Sequence, residues 1–278
     1  MPVWPNLRSG MMGPEVGNWQ RFLVEQRRAG GDRQRAGDRR PFLVEQDAAD
    51  WKHLALVPDE RFGARTEFAT KVWQRVHGLT PDGVVGPITR RAATPMGFVP
   101  FVQARHCRVL YPAARQEIDL IVIHTMENQE KPSAAEDVAW WFASDASPIA
   151  SCHYCIDQDS VVQCVRNGDV AYHAPGANHD GVGLEHAGRA SQTRTQWDDE
   201  ASRAILLRSA ALAARLCRRY AIPIVRLDVV GLLLGERGFC GHVDATHAFP
   251  GPGRTHWDPG AAFPWTDYLA LVRERASE

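Results

Sequence analysis

Four turn-forming residues, Pro95, Gly97, Pro100 and Pro112, fall between about residue 95 and residue 117 and cut this chain in two. A stretch so punctuated resists both a helix and a central strand. We read it as a linker, with one domain over residues 1–94 and a second over 118–278. The chain length agrees, since 278 residues at roughly 100–200 per domain suggest two. The patterns on the two sides of the cut differ in kind.

Upstream runs a degenerate repeat. Asp59-Glu60-Arg61-Phe62-Gly63-Ala64-Arg65-Thr66 is followed 23 residues later by Asp82-Gly83-Val84-Val85-Gly86-Pro87-Ile88-Thr89. Each unit reads as a tight turn, a glycine and a polar helix start, and Pro87 suits the first helical turn. The helix after Gly63 carries Phe68, Val72 and Val76 at i, i+4, i+8. An earlier one, opened by Gly10-Met11-Met12-Gly13-Pro14-Glu15-Val16, carries Val16, Trp19, Phe22 and Leu23 on one face. The expectation is a small three-helix unit with glycine turns. Between its first two helices, Arg27 to Arg40 holds six arginines and two aspartates, a net charge of +4, and reads as a solvated loop. Phe22-Leu23-Val24-Glu25-Gln26 also recurs as Phe42-Leu43-Val44-Glu45-Gln46, a duplication.

Downstream, strands and helices alternate. Ile118-Asp119-Leu120-Ile121-Val122-Ile123 is a β-branched apolar run of the kind found in buried strands. A helix is expected over residues 133–144, strands around 153–156 and 161–165, and a long helix over 200–220, ended by Ala221-Ile222-Pro223. Such alternation predicts an α/β domain. Trp140 and Trp141 are neighbours on the first of these helices, about 100° apart, so at least one is expected in the core.

Composition excludes several classes. With 44% hydrophobic residues the chain is not disordered, and a net charge of −1 offers no global field for nucleic acid or an anionic membrane. No run approaches the ~18 apolar residues of a membrane span; Val229-Val230-Gly231-Leu232-Leu233-Leu234 is too short. Met1-Pro2-Val3-Trp4-Pro5-Asn6 has neither the charged nor the apolar region of a secretory signal. Lysine occurs only at Lys52, Lys71 and Lys131, which we read as coding bias toward arginine. Of six cysteines, Cys152 and Cys155 form a lone CxxC in a strand-like stretch. The reading is buried free thiols made in a reducing compartment, with a redox or metal pair as the alternative.

Three residues stand out for chemistry. His124 directly follows the apolar strand. His242 sits in Gly241-His242-Val243-Asp244, after a second apolar stretch and a glycine turn, and Asp258 begins the turn Asp258-Pro259-Gly260. Two histidines and a carboxylate from separate loops suit an open zinc site with a position left for water. Spacing alone leaves open that these are structural histidines.

Two resemblances extend this reading. Leu7-Arg8-Ser9-Gly10, Gly13-Pro14-Glu15-Val16, Trp19-Gln20, Phe62-Gly63, Thr66, Trp73-Gln74, His77-Gly78-Leu79 and Asp82-Gly83-Val84-Val85-Gly86-Pro87 resemble a bacterial peptidoglycan-binding domain of the three-helix type. The Arg27–Arg40 segment departs from that pattern, and the resemblance adds a contact with anionic wall polymer as its alternative role. In the second half, Ile121-Val122-Ile123-His124-Thr125, Ser151-Cys152-His153-Tyr154, Ala171-Tyr172-His173-Ala174, Asn178-His179, Gly181-Val182-Gly183-Leu184-Glu185, Gly241-His242 and Asp258-Pro259-Gly260 occur in order. They resemble the zinc-dependent N-acetylmuramoyl-L-alanine amidases, the family of phage lysozyme-type amidases and peptidoglycan recognition proteins.

The resemblance implies a mixed central sheet flanked by helices, with Zn2+ held by His124, His242 and Asp258; His247, His256 and Cys240 are the competing ligands. It implies Glu185 as the catalytic carboxylate. His256 stands where the family commonly has an oxyanion-stabilising lysine, two residues before the third ligand. His173 and Asn178 match positions lining the substrate cleft, or serve to fix loops. The implied partner is bacterial peptidoglycan, without nucleic acid or membrane insertion, and a monomer is expected. The implied reaction is cleavage between N-acetylmuramic acid and the L-alanine of the stem peptide. A wall-binding module joined to an amidase resembles a phage endolysin, held in the cytoplasm until released to the cell wall. The rivals are a non-catalytic recognition protein and a zinc peptidase cutting within the stem peptide. No HExxH supports the peptidase, although His124 and Glu127 have the spacing of a metallocarboxypeptidase pair.

Overall fold

The computed structural model describes residues 4–35, 56–110, 117–251 and 255–278. The chain divides into two compact units, Val3–Phe101 and Val102–Glu278. The boundary therefore falls inside the expected linker, whose described residues belong to one unit or the other. Phe98 packs on Trp19 and Phe22, with ring centroids 5.2 and 5.5 Å apart. Beyond the boundary, the amides of Val102 and Ala104 donate to the Gln163 and Cys164 carbonyls. The short strand β1 (Cys107–Arg108) pairs with β5 (Val170–Ala171). Proline blocks a helix or an inner strand, but it leaves apolar burial and edge pairing available to its neighbours.

The first unit contains α1 (Pro14–Arg35), α2 (Ala64–Val76) and α3 (Pro87–Ala93). Helix α1 runs through residues 27–35, where the arginine-rich segment had been expected to loop. Gly30 and Gly31 each cost about 1 kcal/mol inside a helix, but the arginines, alanine and glutamine around them are good helix formers. The rest of that segment and the second copy of the duplicated pentapeptide, at 42–46, lie outside the described residues. On α2 the buried face is set by Ala69, Thr70, Val72, Trp73 and Gln74, while Phe68 and Val76 sit at its margins. Hydrophobicity alone misplaced that face, because three of the helix's buried residues, Thr66, Thr70 and Gln74, are polar.

Those polar residues explain the repeat. The Gln74 side-chain amide donates to Asp82 Oδ1, the Val84 carbonyl and Thr89 Oγ1 at 2.8–3.0 Å, and its Oε1 accepts from the Gly83 amide at 2.9 Å. Gln20 makes the matching set with Asp59, the Arg61 carbonyl, Thr66 and the Glu60 amide. Glu60 and Gly83 share a left-handed backbone, with φ of 62° and 77°. Each repeat is thus a loop wrapped around one buried glutamine. Gln20 precedes Asp59 by 39 residues where Gln74 precedes Asp82 by 8, so the first copy carries 31 more residues. Gln74→Leu leaves the Gly83 amide and the Val84 carbonyl without this partner, and a stranded group of this kind costs about 1–3 kcal/mol. We expect the first unit to lose about 3 kcal/mol in chemical denaturation, while the unfolding of the second unit stays unchanged.

The second unit is a five-stranded sheet of order β4-β3-β6-β2-β7. Strands β2 (Leu120–Thr125), β3 (Tyr154–Ile156), β6 (Gly181–His186) and β7 (Gly238–Gly241) run parallel, and β4 (Val161–Gln163) is an antiparallel edge. All of β2 is buried, which is why it reads as one apolar run rather than an alternation. The helices are α4 (Ala134–Ala143), α5 (Arg194–Trp197), α6 (Glu200–Tyr220), α7 (Val229–Leu233), α8 (His242–Ala248) and α9 (Trp265–Ser277). Leu120, Val122 and Cys240 face a core that includes Leu227, Leu232, Ala245 and Ala248. On β6, the His186 ring bonds Ser209 of α6 at 2.7 Å, and Ser209 bonds Tyr268 of α9 at 2.7 Å. Parallel strands all end on one edge of the sheet, where loops are free to gather side chains around a ligand.

Candidate metal centre

The three metal-binding candidates meet at that edge. His124 lies near the end of β2, in register with Glu185 on β6, and His242 is the first residue of α8, directly after β7. Gly241 is the N-cap of α8; its amide donates to Asp244 Oδ2 at 2.6 Å, and a Cβ there would lie 2.7 Å from Pro259. The Val243 amide in turn donates to the Asp258 carbonyl at 3.0 Å, so the last turn is tied to α8. Gly260 closes that turn with φ of 87°, and a Cβ would lie 1.8 Å from the Ala190 carbonyl oxygen. No other residue fits there.

His124, His242 and Asp258 are all buried, and one donor atom from each lies within 4.8 Å of the others. His124 Nδ1 is 3.1 Å from Asp258 Oδ2, and His242 Nδ1 is 3.2 Å from Asp258 Oδ1. Burial pushes His124 down to about 4, so its imidazole is neutral at pH 7 and keeps a lone pair to donate. Burial by itself would raise Asp258, but its hydrogen bonds with the two histidines outweigh this and hold the carboxyl well below its usual range. Two imidazole nitrogens and an ionised carboxylate fit a tetrahedral zinc with one position open. Unsatisfied atoms support the fit, since among the described residues His242 Nε2 and Glu185 Oε2 are buried without a hydrogen-bond partner.

Glu185 opens onto a cleft of about 270 Å³ whose walls include Thr125, Met126, Trp141 and Phe142. Burial, followed by the charges of Asp258 and Glu127, raises its carboxyl well above the usual range. Trp140 is half-buried, whereas Trp141 is 43% exposed on the cleft wall and Phe142 fills the core position. His256 is more than half exposed and stacks on the His242 ring at 4.1 Å, with its Nδ1 3.7 Å from Asp258.

The remaining candidates fall elsewhere. His173 is buried with both ring nitrogens engaged, one 3.0 Å from His124 Nε2 and the other 3.4 Å from the Gly181 carbonyl. Asn178 Oδ1 accepts from the amides of His173 and Ala174 at 2.8 and 2.7 Å, so this side chain fixes the loop that carries His173. His247 is exposed on α8 and Cys240 faces the apolar core, away from the donor group. Glu127 stands apart from the donor group too; its Oε1 accepts from Thr125 Oγ1 and the Ala190 amide. Cys155 lies 3.7 Å from Cys164 rather than facing Cys152, and burial raises the thiols of Cys152 and Cys155 well above normal. Spacing had missed the closeness of His173 to His124. The signal was Gly181-x-Gly183, because a Cβ on Gly183 would lie 2.8 Å from the His173 ring.

Comparison with known proteins bears on this geometry. A family model described as N-acetylmuramoyl-L-alanine amidase matches residues 114–261, and one described as a peptidoglycan binding domain matches residues 49–93. The chain is 28% identical over 170 residues to N-acetylmuramoyl-L-alanine amidase A of Achromobacter lyticus, covering 58% of this chain and 87% of that one. Among solved structures it is similar to a selenomethionine AmpD derivative, with 20% identity, 63% and 94% of the two chains covered, and a TM-score of 0.44. It is also similar to the Staphylococcus aureus hydrolase AmiA, with 14% identity, 64% and 84% covered, and a TM-score of 0.47.

Proposed function

Since the chain belongs to the N-acetylmuramoyl-L-alanine amidase family, we propose that it is a zinc-dependent amidase cleaving peptidoglycan between the muramic acid lactyl group and L-alanine. The observation that carries this reading is the buried His124, His242 and Asp258 donor set beside the unpartnered Glu185 carboxylate. A lactyl amide resists hydrolysis because its nitrogen donates into the carbonyl. The chemistry that zinc supplies in such a site is polarisation of the carbonyl and a pKa near 7 for water. Glu185 takes the proton of the attacking water and passes it to the departing alanine nitrogen. Its raised pKa suits a group that serves first as base and then as acid near neutral pH.

His256, beside the donor set, is assigned to the developing oxyanion as a hydrogen-bond donor. Burial and the neighbouring His242 lower its pKa, so the donor is a neutral imidazole. His256→Ala is expected to lower kcat more than it raises KM on a soluble muropeptide; an unchanged kcat removes this role.

Digestion of purified cell walls tests the whole reading. Release of free N-terminal alanine with new lactyl carboxyls supports the amidase, new amines within the stem peptide support a peptidase, and no release supports a recognition protein. The joining of a peptidoglycan-binding domain to an amidase supports the role of a phage endolysin that waits in the cytoplasm. Cells expressing the chain should then lyse when their membrane is permeabilised, and lysis without permeabilisation speaks against that role.

A further inference from the structure

His173 lies outside the donor group yet touches it, and the direction of its hydrogen bonds can be worked out from one end. The Gly181 carbonyl, 3.4 Å from His173 Nε2, can only accept, so that nitrogen carries the ring's proton. The other nitrogen of a neutral imidazole is then a bare acceptor. It lies 3.0 Å from His124 Nε2. His124 Nδ1 and the Asp258 carboxylate, which also can only accept, share a hydrogen bond at 3.1 Å. A cation between these two atoms takes the place of that hydrogen, and His124 then keeps its one proton on Nε2 and donates it to His173 Nδ1.

The local fold serves this arrangement. Gly183 leaves the space in which the His173 ring lies, since a Cβ would come within 2.8–2.9 Å of its Cγ and Nδ1. Asn178 holds the backbone of His173 and Ala174. The two rings lie nearly perpendicular, with centroids 5.1 Å apart and planes at 89°, and the His124 Nε2 and His173 Nδ1 atoms are the ones that meet.

We propose that His173 is a positioning residue, which accepts from His124 Nε2–H and so fixes the tautomer that presents Nδ1 to the metal site. The proposal rests on reading His124, His242 and Asp258 as zinc ligands. An outer partner of this kind orients a ligating imidazole and raises its basicity, and its loss typically weakens metal binding about 10–100-fold.

The test is zinc affinity of the full chain, measured by chelator competition, together with the absorption spectrum of the Co2+-substituted protein. His173→Asn places an amide at the Nδ1 position and keeps the acceptor toward His124. His173→Gln places its amide near the Nε2 position and keeps only the bond to Gly181, and His173→Ala removes both. The Gln and Ala variants are expected to bind zinc about 10–100-fold more weakly with a shifted cobalt spectrum, and the Asn variant to stay within about threefold of wild type. Metal-free melting curves show that each variant compared is folded. Wild-type affinity in the Ala variant, or an Asn variant as weak as the Gln variant, overturns the proposal while the zinc reading stands. A wild-type chain that takes up no zinc overturns both.

Discussion

Glu185→Gln is expected to lower kcat on peptidoglycan by about 10²–10⁴-fold, the usual worth of a positioned acid–base group, while zinc uptake stays at the wild-type level. The two halves of this result have separate causes. Glutamine keeps the shape of the side chain but cannot carry the proton from water to the leaving nitrogen. Glu185 also lies outside the His124, His242 and Asp258 group, so the donor atoms remain in place. Stability should move the other way. Burial raises the Glu185 carboxyl above its unfolded value, so the folded state holds this proton more tightly. Its contribution is therefore greatest at low pH and is lost as pH rises through the folded pKa. The glutamine variant, freed of that loss, should melt above wild type at pH 8 in metal-free protein, with the gap closing toward pH 4. Full activity in the variant would transfer the proton-carrying role to another group.

Asp258→Ala should abolish both activity and the stabilisation that zinc confers. A ligand that binds the folded state alone stabilises it by about 4 kcal/mol when its free concentration is ~1,000 times Kd. For a domain of this size that is a rise of about 10 °C in melting temperature. Wild type should show the rise on zinc addition and lose it with a chelator, and the alanine variant should show neither. His124 and His242 remain in the variant, but without the carboxylate the site loses the negative charge that balances the ion. An unchanged zinc-dependent shift would mean that another side chain completes the donor set.

Much of this molecule was legible in its residues because the signals were local. The run from Leu120 to Ile123 reads as a buried strand since each residue prefers that state and both faces are covered. The helix from Glu200 to Tyr220 was legible in the same way, and its Asp199 cap accepts from the Ser202 amide. His124, His242 and Asp258 were each marked by a position after a strand or at a turn. What spacing hid were contacts between polar groups distant in sequence. Gln20 and Gln74 organise the two repeats from inside, and a hydrophobic pattern counts such residues as outward-facing. Likewise, a glycine- and arginine-rich stretch predicts a loop by composition, yet the first helix continues into it as far as Arg35.

By itself the order of residues determined that there would be two units, an α/β sheet in the second, and a pair of histidines and a carboxylate at the ends of its elements. Those outcomes follow from short-range preference and from side-chain chemistry. The tertiary structure decided what each polar atom faces. It placed Glu185 in register beside His124, set Asn178 to holding a loop, and brought His173 against His124, 49 residues away. Hydrogen bonding is a property of pairs, and nothing in the order of residues shows that His173 meets both the Gly181 carbonyl and His124.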